Sequence, residues 1–206
     1  MHARSTTIAG RPEAIDDGIA FIRGEVQPLI TRMDGCLGLS LVVDRVGGRC
    51  IATSAWETED AMVLAGDELA PMRIRAGVIL DGEPEVDRWE IAAMHRVQPA
   101  GEGACCRIIW ARPQDVYIHV MLERFRNPLL RQIEALDGFC SISLFVDRLE
   151  RRICTTTTFD SRASLEASRK PAESLRERVG RDTGIEYLEI AEFDLALSRL
   201  RVPELA

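Results

Sequence analysis

MDGCLGLSLVVDR, residues 33–45, is followed half a chain later by LDGFCSISLFVDR, residues 136–148. The two Asp-Gly pairs, at Asp34 and Asp137, set an offset of 103 residues in a chain of 206. Nine of the twenty positions from 34 to 53 are identical at that offset, among them Ser40, Leu41, Val43, Asp44 and Arg45. A fixed offset that persists beyond one motif marks an internal repeat.

The flanks keep the same offset. Ile15, Ile19, Ile22, Val26, Ile30 and Met33 recur at steps of three and four, one apolar stripe of a helix. Their counterparts are Ile118, Leu122, Phe125, Leu129, Ile133 and Leu136, all apolar. Downstream, Met62, Ala65, Leu69, Met72 and Ala76 map onto Leu165, Ser168, Ala172, Leu175 and Val179. Each half therefore reads as strand, helix, two strands, helix and strand. The first strands are RSTTIA (4–9) and CCRIIW (105–110), and the last are DRWEIAAM (87–94) and EYLEIAEF (186–193), here at offset 99. Proline at 12 and 113 suits a first helical turn, and the Asp-Gly glycine suits a left-handed close. Thr58 and Ser161 suit N-caps, and Gly47-Gly48 suits a hairpin. The expected fold class is α+β, two ferredoxin-like βαββαβ repeats packed sheet to sheet as an intramolecular dimeric α+β barrel. The first repeat spans 1–97, QPAGEG (98–103) is a linker, and the second repeat spans 104–206.

Strand alternation divides each sheet into two faces. Leu37, Leu39, Leu41 and Val43, with Cys140, Ile142, Leu144 and Val146, form an aliphatic set expected to meet the helices. Cys36, Gly38, Ser40 and Val42, with Phe139, Ser141, Ser143 and Phe145, form a set without charge, suited to a cavity between sheets. If Trp56 and Phe159 face that cavity, Ser54, Thr157, Ala52 and Thr155 do too. Glu90 and Glu189 are then in its phase, with Trp89, Ile91, Leu188 and Ile190 turned to the helices. The expected ligand-binding residues are Trp56, Phe159, Ser40, Ser143, Phe139 and Phe145. Trp56 equally suits a plain core.

The helix ending in DG, the apolar strand after it, and the entries WETEDAM (56–62) and FDSRASL (159–165) resemble the dimeric α+β barrel superfamily. Within it they are similar to antibiotic biosynthesis monooxygenase-like domains in tandem. The resemblance covers nearly the whole chain and lies in fold and spacing. It implies a cofactor-independent oxygenase whose apolar cavity holds a polycyclic or quinone-like substrate, with polar side chains helping to form a carbanion that reacts with dioxygen. Related barrels degrade haem with asparagine, tryptophan and histidine. Here the one asparagine is Asn127 and the histidines are His2, His95 and His119, a poor match to that set.

The remaining candidates for catalysis are Glu90 and Glu189. A carboxylate held in an apolar cavity titrates high enough to act as a general base. The alternative is an exposed rim, or pairing with arginines such as Arg4 or Arg107. An enzyme and a non-catalytic binding or structural barrel both fit the sequence. Phosphate loops, dinucleotide fingerprints and nucleophile elbows are absent, so no cofactor is expected. The six cysteines lack metal-ligand spacing and read as small hydrophobes. A net charge of −7 argues against nucleic acid as a partner. With no apolar run near the ~18 residues of a membrane span and no signal-like N-terminus, the expected location is cytoplasmic. The expected partner is a hydrophobic aromatic small molecule. Fusion makes an intramolecular pseudo-dimer and leaves room for a further homodimer.

Overall fold

A computed structural model describes residues 1–114, 129–200 and 202–205; His119, Asn127 and the stripe positions Ile118, Leu122 and Phe125 lie outside them. The chain is α+β and forms two compact units, residues 1–90 with 193–203 and residues 91–192 with 204–206. Among the described residues, no helix is long and apolar enough to cross a membrane.

In the first unit, β1 (His2–Ala9) leads through a short 3-10 turn into α1 (Ile15–Phe21). A π turn at Ile22–Val26 joins it to α2 (Gln27–Ile30). Pro28 in α2 has no N–H to give, and a wider turn just ahead of it accommodates the missing helical bond. Then come β2 (Cys36–Asp44), β3 (Arg49–Trp56), α3 (Glu59–Glu68), α4 (Ala70–Leu80) and β4 (Pro84–Arg96). The second unit contains β5 (Cys105–Arg112), α5 (Leu130–Glu134), β6 (Phe139–Asp147), β7 (Arg152–Phe159), α6 (Arg162–Ala167), α7 (Arg169–Thr183) and β8 (Glu186–Leu200). Strands β4 and β8 begin in one unit and end in the other. The strands follow the hydrogen-bonded order β1-β3-β2-β8-β5-β7-β6-β4.

Local chemistry explains why the repeated motif is repeated. Gly35 and Gly138 take positive φ of 73° and 72°, which only glycine adopts without strain. Asp44 Oδ1 accepts from the backbone N–H of Val46 and Gly47, and Asp147 Oδ1 accepts from Leu149 and Glu150, closing both β-hairpins. The second hairpin has no glycine, so Arg151 adopts the left-handed conformation that Gly48 takes in the first. Thr58 and Ser161 cap α3 and α6 by accepting from Ala61 and Ser164.

The helical stripe from Ile15 to Ile30 is buried against Leu39, Leu41 and Val43. Leu129 and Ile133 pack likewise against the group containing Ile142, Leu144 and Val146. The aliphatic sets thus meet the helices as expected, but the rest of the face assignment needs correction. Leu39 pairs with Ser54 and Leu41 with Ala52, so Ser54 and Ala52 share the helix-facing side. A bulge between Cys36 and Gly38 brings Cys36 opposite Trp56, and its twin between Phe139 and Ser141 brings Phe139 opposite Phe159. An extra residue in one strand inverts the alternation before it. Trp56, Phe139 and Phe159 therefore face the helices, whereas Ser40, Ser143 and Phe145 occupy the opposite faces of their sheets. On β4, Arg4 pairs with Arg88 and Ala3 with Trp89, which puts Glu90 in the phase of Arg4 and Trp89 in the other. Trp89 Nε1 donates to Ser5 Oγ at 2.9 Å. Leu188 and Ile190, expected beneath helices, are 40% and 43% exposed.

Candidate functional site

Each unit holds a cavity between its own helices and sheet. In the first unit it lies under α4 and the helical segment ending in α2, above β1, β2 and β3, with a volume of ≈ 60 Å³. In the second it lies between α7 and β5, β6 and β7, with a volume of ≈ 110 Å³. Both exceed the roughly 10–15 Å³ that one water requires, in interiors otherwise packed like organic crystals. Their walls are mostly aliphatic, including Leu39 and Leu41 in one and Ile142 and Leu144 in the other, with Thr6 and Ser54 in the first and Thr155, Thr157, Phe159 and Tyr187 in the second.

A pair of arginines breaks each apolar wall, and the pairs are repeat equivalents at offset 103. Arg4 and Arg73 line the first cavity; Arg107 and Arg176 line the second. Arg4 is 4% exposed, and its Nη1 is buried with no hydrogen-bond partner. Burial, followed by the like charges of Arg73 and Arg88, pushes the Arg4 guanidinium down to about 10, against a pull from Asp67. It remains cationic at neutral pH. Burial lowers Arg73 as well, and its Nη2 donates to Gly66 O at 2.7 Å.

Arg107 is equally buried but fully engaged. It donates to Ser168 Oγ at 3.0 Å, to Leu165 O at 3.0 Å and to Glu192 Oε1 at 2.9 Å. Arg169 holds the other carboxylate oxygen at 2.7 Å. Burial alone would raise Glu192, but the hydrogen bonds from Arg169 and Arg107 outweigh it and keep the carboxyl below its usual range. Arg176 is lowered first by burial and then by Arg107. Tyr187, also lining this cavity, is raised by burial.

Trp56 is fully buried; its Nε1 donates to Ser54 Oγ at 3.0 Å, and Ser54 Oγ in turn donates to the Arg4 carbonyl at 3.3 Å. It stands behind a wall residue of the first cavity, while its counterpart Phe159 lines the second directly. Phe139 is buried in the second unit's core. Glu90 is half-buried and Glu189 exposed, and neither lines either of these two cavities. His95 serves the second unit's tail, with Nδ1 bonded to Glu204 beside the Met94–Leu205 bridge. The thiol of Cys50, in the first cavity's wall, is pushed up to about 11 by burial and stays protonated. The arginines are what sequence reading missed as site residues. Their signal was available: a cation at the same place in both copies of an apolar strand, and again in both copies of the second helix.

No family model matches the chain. Two Mycobacterium tuberculosis uncharacterized proteins, Rv2557 and Rv2558, are each 47% identical to it over its whole length, covering 92% and 87% of their own. An anthrone oxidase-like protein superposes with a TM-score of 0.67 at 13% identity, covering 100% of this chain and 95% of that one. A Listeria monocytogenes ferredoxin-fold protein related to antibiotic biosynthesis monooxygenases gives 0.56 at 10%, covering 95% and 94%. The haem-degrading enzyme LmHde of the same organism gives 0.55 at 8%, covering 94% and 99%. At these identities the likeness establishes a shared fold, that of the monooxygenase-like α+β barrels.

Proposed function

The chain belongs to the family of the Mycobacterium tuberculosis proteins Rv2557 and Rv2558, and we propose that it takes an aromatic small molecule into its helix–sheet cavities and oxidises it with dioxygen, without a cofactor. The observation that carries this reading is a pair of guanidinium groups set into each largely apolar cavity. Apolar walls suit the ring system, and a fixed cation in a water-poor site stabilises charge developing on its oxygen. A hydroxyaromatic or anthrone-type molecule that loses a proton becomes an electron-rich anion able to reduce dioxygen. For anthrone the balance is complete: its CH2 becomes C=O, one oxygen atom enters the ketone, and the other leaves in water. The arginines' part is to favour the anion; they accept no proton. The six free thiols fit a reducing interior, and we place the protein in the cytoplasm.

The test is oxygen uptake with anthrone, corrected for autoxidation. Wild type is expected to consume one dioxygen per anthraquinone formed, and the double variant Arg73→Met, Arg176→Met to lose at least tenfold of that rate. No uptake above autoxidation across a panel of hydroxyaromatics would overturn the oxygenase. One observation favours a second reading, a non-catalytic binding module: among the described residues, no carboxylate or imidazole lines either cavity. That reading predicts binding of the same panel without turnover.

A further inference from the structure

The two cavities have equivalent arginine pairs, yet every side-chain partner of the strand arginine differs between them. Arg107 is satisfied by Ser168, Glu192 and, through Glu192, Arg169. At offset 103, Ser168 corresponds to Ala65 and Arg169 to Gly66; along the last strand, at offset 99, Glu192 corresponds to Ala93. Hydroxyl, carboxylate and second cation have all been replaced by residues that cannot hydrogen-bond through a side chain.

The space left by Arg169 is used. A Cβ on Gly66 would stand 2.7 Å from Arg4 Nη2, so glycine is what lets the Arg4 guanidinium lie against α3. There it keeps an orphaned Nη1, with Arg73 and Arg88 as like-charged neighbours and Asp67 acting only from a distance. A buried charged donor without a hydrogen-bond partner is costly, and an anion that pairs with it would account for its presence.

We propose that the first unit's cavity is a receptor for an aromatic carboxylate, whose anionic head pairs with Arg4 while its ring lies among the aliphatic residues. In the second unit Glu192 is the counterion of Arg107, and the buried donor left without a hydrogen-bond partner belongs to Arg176 instead. The strand arginine is thus left open to an anion in the first cavity and neutralised within the chain in the second, where three polar partners stand in place of Ala65, Gly66 and Ala93. The inference deepens the small-molecule reading above and rests on its cavities, but it does not need the oxygenase. Carboxylate binding without oxygen uptake would remove the chemistry and leave this receptor standing. Equal binding and turnover of neutral and anionic molecules would do the reverse.

The experiment is calorimetric titration with benzoate and 1-naphthoate, each compared with its primary amide. Wild type is expected to bind one equivalent of carboxylate, at least tenfold more tightly than the amide, because charge-assisted bonds are the strong ones. Arg4→Met should lose the carboxylate site, and Arg4→Lys should keep the preference with weaker affinity. Glu192→Gln, which frees Arg107 without removing bulk, should raise the stoichiometry to two. Folding of each variant is checked by circular dichroism. Carboxylate affinity within threefold of wild type in folded Arg4→Met, or equal affinity for carboxylate and amide in wild type, would overturn the receptor. If Arg4→Met does not fold, the amide comparison and Arg4→Lys decide. An unchanged stoichiometry in Glu192→Gln would overturn the role given to that carboxylate.

Discussion

Replacing Arg4 by methionine should stabilise the protein. In the unliganded chain the Arg4 side chain is 4% exposed and leaves Nη1 with no acceptor. An unsatisfied buried donor costs roughly 1–3 kcal/mol, and more when it carries charge. Methionine keeps an unbranched stem of similar reach and removes the charge, so most of the packing survives. Relief of the repulsion from Arg73 and Arg88 adds to the gain, and loss of the attraction from exposed Asp67 subtracts little. The net expectation is about 1–2 kcal/mol of added stability, or roughly 2–8 °C in Tm for a chain of this size. The same change at Arg107 should cost about 2–4 kcal/mol, since it strips Glu192 and Ser168 of a buried partner. The pH dependence carries the same sign. The Arg4 guanidinium is depressed to about 10, so above that pH the unfolded chain holds more protons than the folded one. Arg4 therefore contributes stability that rises with pH from about 10 upward, and Arg4→Met should flatten that rise. Urea denaturation followed by circular dichroism reads the effect as a midpoint shift at constant m-value. A loss of 1 kcal/mol or more in Arg4→Met at unchanged m would refute the claim that Arg4 is an unsatisfied charge kept for a ligand.

Three further outcomes follow from individual contacts. Glu90→Gln and Glu189→Gln should leave any oxygen uptake within about twofold of wild type, because neither side chain lines either arginine-bearing cavity; a tenfold loss in either would restore the carboxylate as a base. Arg151→Gly should stabilise by up to ~1 kcal/mol, since Arg151 holds a φ of 52° where the first repeat has Gly48; a lower melting temperature would show that the arginine side chain outweighs the backbone strain. Glu192, depressed by its arginines, contributes stability that is present above the usual carboxylate range and lost as pH falls through its own lower value. Glu192→Gln should therefore make the melting temperature less sensitive to acid, and an unchanged acid profile would contradict the network.

The duplication, the first repeat's helical stripe, the N-caps and the hairpins were legible because each rests on spacing within one segment. Facing was harder, because it depends on pairing between segments. Reading β2 and β6 without their bulges put Cys36 and Phe139 on the wrong side, and taking Trp56 as turned away from the helices reversed the phase of β3. The π turn ahead of Pro28 left no trace in the stripe, since all its apolar positions remained buried. The arginines stayed hidden for a different reason. Charge is ordinarily on the surface, and nothing local says that Arg4 and Arg107 are buried; only their recurrence in both copies of an apolar strand marks them. Why one is satisfied and the other is not became visible only when Gly66, Ala65 and Ala93 could be set against Arg169, Ser168 and Glu192.

The most direct measurement is a crystal structure of the full chain with benzoate bound. The account predicts the ring beneath the first unit's helices among Leu39, Leu41 and Met72, with a carboxylate oxygen within hydrogen-bond distance of Arg4 Nη1. Benzoate found instead on the opposite face of a sheet, beside Ser40 or beside Ser143 and Phe145, would contradict it.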